Sequence, residues 1–223
     1  MTSHQTLLKR YIIGLLPLVY GCGALAQSNA ASIDCARAKS AIEETVCREP
    51  SLATLDRKLV DVYAAASKAA TADQRNRLAA DQQQWLTDRD RCSKSAERTD
   101  CTKEQYVRRI ADLQAQFKLV PSRGPFRFVC NNDPANVLVA QYFETDPPTA
   151  RFTRDGRSVT AFIQRSGSGA RYGAPNVSYW EHQGEASVAW FGKSFKCATE
   201  RAGEQREQGP KGPAARDGAR PTR

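Results

Sequence analysis

The spacing of apolar residues along the chain changes at one place, the proline- and glycine-containing segment Pro121-Ser122-Arg123-Gly124-Pro125, which interrupts regular secondary structure. Before this segment, apolar residues recur at helical spacing. After it, they occur in short runs rich in Val, Phe, Tyr and Thr. The sequence therefore predicts an α+β protein of two domains, a small disulfide-linked helical bundle followed by a small antiparallel β-barrel.

Four helices are predicted in the first part, and their apolar stripes are interpreted as core. Their approximate bounds are 40–48, 51–70, 72–93 and 102–118. Pro50 marks the start of the second. The other three starts have capping-box spacing, in which two side chains satisfy the first free amides of a helix. These pairs are Ser40 with Glu43, Thr71 with Gln74, and Thr102 with Gln105.

Seven short runs bounded by turn residues are predicted to be strands. They are 126–130, 137–143, 150–154, 158–164, 177–182, 186–191 and 194–197. Asp155-Gly156 between the third and fourth is typical of a tight hairpin. Closely spaced antiparallel strands must hide their edges, which favours a closed barrel.

Six cysteines follow the N-terminal segment, and none has the CxxC spacing that zinc sites favour. They are Cys35, Cys47, Cys92, Cys101, Cys130 and Cys197. In an exported chain they indicate three disulfides, and no metal or cofactor is predicted. The first four should meet at one end of the bundle, where three pairings are possible. Cys130 and Cys197 lie on the first and last strands, so a bridge between them would tie the ends of the barrel together.

Both ends of the chain have the composition of non-domain segments. Residues 1–26 are typical of a secretory signal, with Lys9 and Arg10 before a short apolar run. Cleavage after Ala26 would give a periplasmic protein, and a lipoprotein-type box ending at Cys22 would give an outer-membrane lipoprotein anchored through that residue. Residues 198–223 are rich in Gly, Pro and Arg and are expected to form a disordered tail.

The formal charge of +9 is spread thinly along the chain, without a basic patch that has interleaved aromatic residues. Nucleic-acid binding is therefore not expected.

The stretch around Ser168 has the residues of an exposed loop that carries function. Gly167, Gly169 and Gly173 permit positive φ and close backbone approach. Two motifs, SGARY at 168–172 and YWEHQGEA at 179–186, resemble the membrane-bound and periplasmic inhibitors of c-type lysozyme. The pattern of that family is SGARY and, about seven residues later, an aromatic residue, Trp, any residue, Lys and GDEA. At the lysine position this chain has His182.

The helical part also has a family resemblance. Residues 35–117 resemble the N-terminal domain of LprI-type lysozyme inhibitors. The matching features are Leu55-Asp56, Gln82 with Trp85-Leu86, Arg89-Asp90, and Tyr106 with Arg109. Asp56, Arg89 and Asp90 are compatible either with a binding face or with internal ion pairs.

Composition and the two resemblances together predict an organisation for the whole chain. A signal peptide is expected at 1–26, an LprI-like four-helix domain at 33–119 and a linker at 120–125. The barrel of the c-type inhibitor family follows at 126–197, with eight strands and cysteines at the positions of Cys130 and Cys197, and then the tail.

The barrel family also implies a mechanism, in which a loop enters the lysozyme cleft and its serine and lysine meet the two catalytic carboxyl groups. Ser168 matches the serine, and Gly169 and Ala170 belong to the same motif. Arg171 and Tyr172 are assigned either to contact with the enzyme or to bracing the loop. These expectations make c-type lysozyme the predicted partner.

His182 is interpreted either as a weaker substitute for the lysine or as an ordinary strand-surface residue. Imidazole reaches less far than an ammonium group, and histidines change charge near pH 6.5. In the first interpretation, inhibition is weaker and tightens with acidity.

Two rival functions are compatible with parts of the sequence. Ser168 and His182 would fit a hydrolase, but no glycine stands two residues before the serine, as a nucleophile elbow requires, so no enzyme activity is predicted. The other rival is a non-catalytic envelope module. In that case the helical half binds peptidoglycan or a partner protein, and the barrel is a degenerate inhibitor domain.

Overall fold

The computed structural model describes residues 32–199. The predicted signal peptide, Cys22 and residues 200–223 of the predicted tail lie outside the described residues. The first half of the described chain forms four helices: α1 (Ala41–Arg48), α2 (Pro50–Ala69), α3 (Ala72–Asp90) and α4 (Arg98–Gln116). Short 3₁₀ turns at Cys35–Arg37 and Arg91–Lys94 precede α1 and α4.

Two of the three predicted capping boxes are confirmed, at Ser40 and at Thr71. At the first, the Glu43 carboxylate accepts hydrogen bonds from the backbone amides of Lys39 and Ser40, at 2.6 and 3.1 Å. These two bonds hold the pKa of Glu43 below its ordinary value.

The third predicted capping box was wrong, because α4 begins at Arg98 rather than at Thr102. Thr102 is the fifth residue of α4 and is fully buried. Its hydroxyl donates backwards to the Arg98 carbonyl oxygen at 2.8 Å. A threonine makes this bond inside a helix as readily as it caps one, and spacing alone does not separate the two uses.

The core of the bundle consists of the predicted apolar stripes, and disulfides connect the segments around it. The largest buried side chains are Ile42, Leu52, Leu78, Tyr106, Ile110 and Leu113. Of the three pairings that were open, the structure has Cys35–Cys47 and Cys92–Cys101. The first bridge joins the 3₁₀ turn at Cys35 to the last turn of α1, and the second joins the turn at Cys92 to the first turn of α4. No helix among the described residues is long and apolar enough to span a membrane.

A buried polar network joins α2, α3 and α4 in the bundle. Asp56 accepts a hydrogen bond from the Tyr106 hydroxyl at 2.9 Å, and Arg89 donates to the same hydroxyl at 3.1 Å. Arg89 also donates to Asp90 at 2.8 Å. Its guanidinium lies over the Trp85 ring, 5.4 Å from the centroid. Asp56 and Arg89 are 6% and 4% exposed, so they serve as internal partners and not as a binding face.

This network shifts the ionisation of its members in opposite ways. Burial raises the pKa of the Tyr106 phenol far above its ordinary range, so the phenol stays protonated and can donate to Asp56. Burial on its own lowers the pKa of Arg89, but Tyr106 and Asp90 outweigh burial and raise it. Arg89 therefore remains a buried cation that needs both partners.

The second half of the described chain is a closed barrel of eight antiparallel strands in sequence order. The strands are β1 (Ser122–Cys130), β2 (Asp133–Phe143), β3 (Thr149–Arg154), β4 (Arg157–Gln164), β5 (Ala170–Ala174), β6 (Val177–His182), β7 (Glu185–Trp190) and β8 (Lys193–Thr199). The predicted α+β architecture of bundle and barrel is confirmed.

Four strand assignments differ from the sequence prediction by more than one residue, and one of them is β2, which begins at Asp133 and not at 137. β5 is not among the seven predicted runs, because ARYGA has only one residue typical of strands. β1 begins at Ser122, inside the predicted linker, and β8 continues to Thr199, inside the predicted tail. Pairing with β2 extends β1, and pairing with β1 extends β8, which composition alone does not reveal.

The barrel closes where β1 meets β8, and a disulfide bridges that seam. Only three residue pairs join these strands, and one of them is the bonded pair Cys130 and Cys197. Cross-linking residues 67 positions apart stabilises the barrel by about 4 kcal/mol in the chain-entropy account. The bridge therefore strengthens a seam that has few backbone pairs among the described residues.

The bundle packs on the barrel through α4, which contacts β3 and β4. The Arg108 guanidinium lies over the Phe162 ring of β4, 4.3 Å from its centroid. Because β4 leads directly into the predicted functional loop, the bundle supports the strand from which that loop emerges.

Replacing Asp56 with alanine should destabilise the bundle by about 3 kcal/mol, because buried donors, including the Tyr106 hydroxyl, lose a charged acceptor. Urea denaturation followed by the helical circular dichroism signal measures the change. Asp61→Ala on the exposed side of the same helix is the matched control and should have almost no effect. Equal unfolding midpoints for the two variants would contradict the structural role of Asp56.

Candidate binding loop at one end of the barrel

The loop that joins β4 to β5 consists of residues 165–169, and all five are exposed. Ser168 lies in it, next to the start of β5. The same end of the barrel carries the turn between β6 and β7. The Ser168 side chain therefore faces solvent at the rim of a rigid barrel.

The loop is braced through the carbonyl oxygen of Ser168. The indole Nε1 of Trp180 donates to this oxygen at 3.0 Å, and the Ser166 hydroxyl donates to it at 2.5 Å. Trp180 lies on β6, so the indole connects the loop to the neighbouring part of the sheet. Because these two bonds use the backbone oxygen, the Ser168 hydroxyl is not consumed in holding the loop.

Gly169 allows the loop to lie directly against β6. Its φ is +67°, and a Cβ built on it would lie 2.0 Å from the carbonyl oxygen of Glu181. Any side chain at this position would collide with backbone and would also need a left-handed conformation. Gly167 has open space around it. The close approach thus depends on one of the two loop glycines.

The loop is shorter than the SGARY motif suggests, because Ala170, Arg171 and Tyr172 belong to β5. Tyr172 is 8% exposed, and its ring packs against Tyr142, with centroids 5.6 Å apart. Arg171 is exposed on the outer face and pairs in register with Trp180. Of the two roles considered for Tyr172, burial favours bracing, whereas Arg171 is accessible to a partner.

His182 lies beside the loop, at the end of β6. It is exposed and pairs in register with Glu185 across the turn Gln183-Gly184. A Cβ built on Gly169 would lie 3.2 Å from the Cα of His182. Ser168 and His182 therefore lie at the same end of the barrel, on neighbouring segments of its rim.

An aromatic cavity of 520 Å³ opens at the same end of the barrel. Phe126, Tyr142 and Tyr172 line it, together with Ala170 and Glu181 next to the loop. The Tyr142 hydroxyl donates to Tyr179 at 3.0 Å, and burial raises the pKa of Tyr142 to about 12. The phenols are therefore neutral at physiological pH. Sequence patterns placed Phe126 and Tyr142 on predicted strands but did not reveal the opening.

The arrangement lacks the features of a hydrolase site. Among the described residues, no hydrogen bond joins the Ser168 hydroxyl to His182, as nucleophile activation requires. The serine is also followed by a strand instead of a helix. Within residues 32–199, no three His, Cys, Asp or Glu side chains are grouped so that they could hold a metal ion.

Comparisons with known families agree with the two-part architecture. The family described as lysozyme inhibitor LprI matches residues 35–113. The family described as membrane-bound lysozyme-inhibitor of c-type lysozyme matches residues 128–195. The first match covers all four helices except the end of α4, and the second covers most of the barrel.

Relatives of this chain are found among mycobacteria. Proteins named Lipoprotein LprI from Mycobacterium bovis and Mycobacterium tuberculosis are 31% identical to this chain over 169 residues. The alignment covers 75% of this chain and 84% of each relative. No solved structure matches the chain significantly.

Replacing Gly169 with alanine should destabilise the barrel by about 2 kcal/mol or more, since the new Cβ would collide with the Glu181 carbonyl in a left-handed conformation. Thermal unfolding followed by near-ultraviolet circular dichroism measures this. The matched control is Gly167→Ala, which should unfold within about 0.5 kcal/mol of the wild type. If both variants were equally stable, the close packing of the loop on β6 would be wrong.

Proposed function

The chain belongs to the LprI family of lysozyme inhibitors, and from that premise we propose that it inhibits a c-type lysozyme by placing the β4–β5 loop in the enzyme's active-site cleft. One observation carries the mechanism: the Ser168 side chain is exposed on a loop whose backbone is fixed by Trp180 and Gly169.

The cleft of a c-type lysozyme holds two carboxyl groups, one protonated as general acid and one ionised. A serine hydroxyl can donate a hydrogen bond to the ionised group and accept one from the protonated group. Because the loop is already ordered before binding, little conformational entropy is lost when it enters the cleft. The rigidity of the loop thus contributes directly to affinity.

His182 supplies the second polar contact at the same rim. In its neutral form, imidazole donates one ordinary hydrogen bond, whereas its cation makes a stronger, charge-assisted bond to a carboxylate. A lysine at this position would bring the charge-assisted bond and would reach further than imidazole. Inhibition by this chain should therefore be weaker than with lysine.

The net charge supports an interface that depends on close fit. Animal c-type lysozymes are basic, and this chain has a formal charge of +9. Like net charges provide no long-range attraction and slow the association. Affinity has to come from the short-range contacts of the loop.

The family also suggests a location and a role without catalysis. The mycobacterial relatives are named lipoproteins. We infer that this chain is likewise exported to the cell envelope, either anchored through Cys22 or released after Ala26. Its partner there is the lysozyme, and the loop blocks a reaction instead of performing one.

Ser168→Ala should raise the inhibition constant for a c-type lysozyme about tenfold, since it removes one hydrogen bond to a charged group. Lysozyme turnover of a soluble glycan substrate at increasing inhibitor concentrations measures this constant. The control is Ser158→Ala, on β4 near the opposite end of the barrel, which should inhibit like the wild type. An unchanged inhibition constant for Ser168→Ala would exclude the loop mechanism.

His182→Lys should inhibit more strongly than the wild type, because a lysine ammonium reaches further than imidazole and makes a charge-assisted hydrogen bond to a carboxylate. The two inhibition constants are measured on one lysozyme under the same conditions. Equal constants for the variant and the wild type would show that His182 does not contact the enzyme.

A further inference from the structure

A second surface, which adjoins the loop rim and shares Trp180 with it, lies on the outer face of β5 to β8. It is a groove of 580 Å³, and ten residues line it. Those that the argument uses are Arg171, Trp180, Ser178, Ser187, Ala189 and Lys196. None of the described residues that line this groove is acidic.

The strand register explains the shape of the groove. One cross-strand row contains Arg171, Trp180, Ser187 and Lys196, each paired with the next. The adjacent row contains Gly173, Ser178, Ala189 and Ser194. The second row has only small side chains and forms a trough. The first row places a cation at either end and an aromatic ring between them.

Trp180 presents its ring in this groove in a fixed orientation. It is 45% exposed, although an indole of this size usually packs inside a small barrel. Its Nε1 is bound to the Ser168 carbonyl oxygen, so the indole cannot turn freely. A fixed, exposed aromatic face packs well against the C–H face of a sugar ring, which is apolar on that side.

The remaining groups of the groove suit a polar, negatively charged chain. The Lys196 ammonium donates to the Ser187 hydroxyl at 2.6 Å, which places this cation next to the trough. Arg171 stands three strand spacings away, about 14 Å. Guanidinium and ammonium groups bind carboxylates, and serine hydroxyls bind sugar hydroxyls and amides. A concave trough suits a linear chain of rings better than a flat lipid surface.

We propose that the groove over β5 to β8 binds an acidic amino-sugar polymer of the peptidoglycan type, with Trp180 stacked on a sugar ring and Lys196 and Arg171 paired with its carboxylates. This binding does not depend on the inhibition of lysozyme. It would hold the protein on the polymer that lysozyme cleaves, with the Ser168 loop at the rim of the same sheet.

Isothermal titration of the full-length exported protein tests the proposal, with a soluble tetrasaccharide of alternating N-acetylglucosamine and N-acetylmuramic acid as the probe. Lys196→Ala should weaken binding about tenfold, because it removes a charge-assisted contact. Lys193→Ala removes the same charge from the same strand outside the groove lining, and its dissociation constant should stay within about twofold of the wild type. Chitotetraose, which lacks the carboxylates, should bind about tenfold more weakly.

The outcomes separate this site from the inhibitory loop. Lys196→Ala should inhibit lysozyme like the wild type, and Ser168→Ala should bind the tetrasaccharide like the wild type. The proposal is overturned if the muramyl tetrasaccharide does not bind, if the two lysine variants weaken binding equally, or if chitotetraose binds equally well. Binding to phosphatidylglycerol vesicles that is lost in Lys196→Ala, without tetrasaccharide binding, would instead make the groove a lipid-headgroup site.

Discussion

The rim of the barrel that carries the proposed binding loop depends on a close backbone contact between that loop and β6. Gly169 lies so near the Glu181 carbonyl that no side chain fits between them. The Trp180 indole holds the same loop by donating a hydrogen bond to the Ser168 carbonyl oxygen. A loop held through its backbone keeps its side chains available for a partner. This explains why glycine, tryptophan and serine occur together in the motifs of this region.

Sequence reasoning was most successful where the hydrophobic period is strong, and it failed where tertiary pairing overrides local preference. The helical stripes and most strands follow from periodicity. β5 does not, because Ala170, Gly173 and Ala174 have weak strand preference, and only pairing with β4 and β6 makes this segment a strand. Consequently Tyr172, expected in or near a loop, is a core residue. The exposed position of Ser168 was predicted from the glycines around it. The hydrogen bond from Trp180 was not predicted, because no sequence pattern relates an indole to a carbonyl twelve residues away.

The polar residues that the helical half shares with its family are explained by packing. Asp56, Tyr106 and Arg89 satisfy one another inside the bundle, and removal of any one leaves a buried group without its partner. The Arg108 guanidinium lies over the Phe162 ring of β4, the strand that leads into the β4–β5 loop. The bundle is therefore packed against the strand next to the proposed inhibitory loop.

Trp180 contributes both to the β4–β5 loop and to the outer groove, so a change at this residue affects both surfaces. Its N–H holds the loop, while its ring face lines the outer groove. A ligand stacked on the ring would restrict the indole further and would therefore stabilise the loop in its braced form. Lys196 is two strands away from Trp180 and does not touch the loop, so its substitution affects the groove alone. Because loss of Trp180 would impair both surfaces at once, only residues such as Lys196 and Ser168 can separate glycan binding from inhibition.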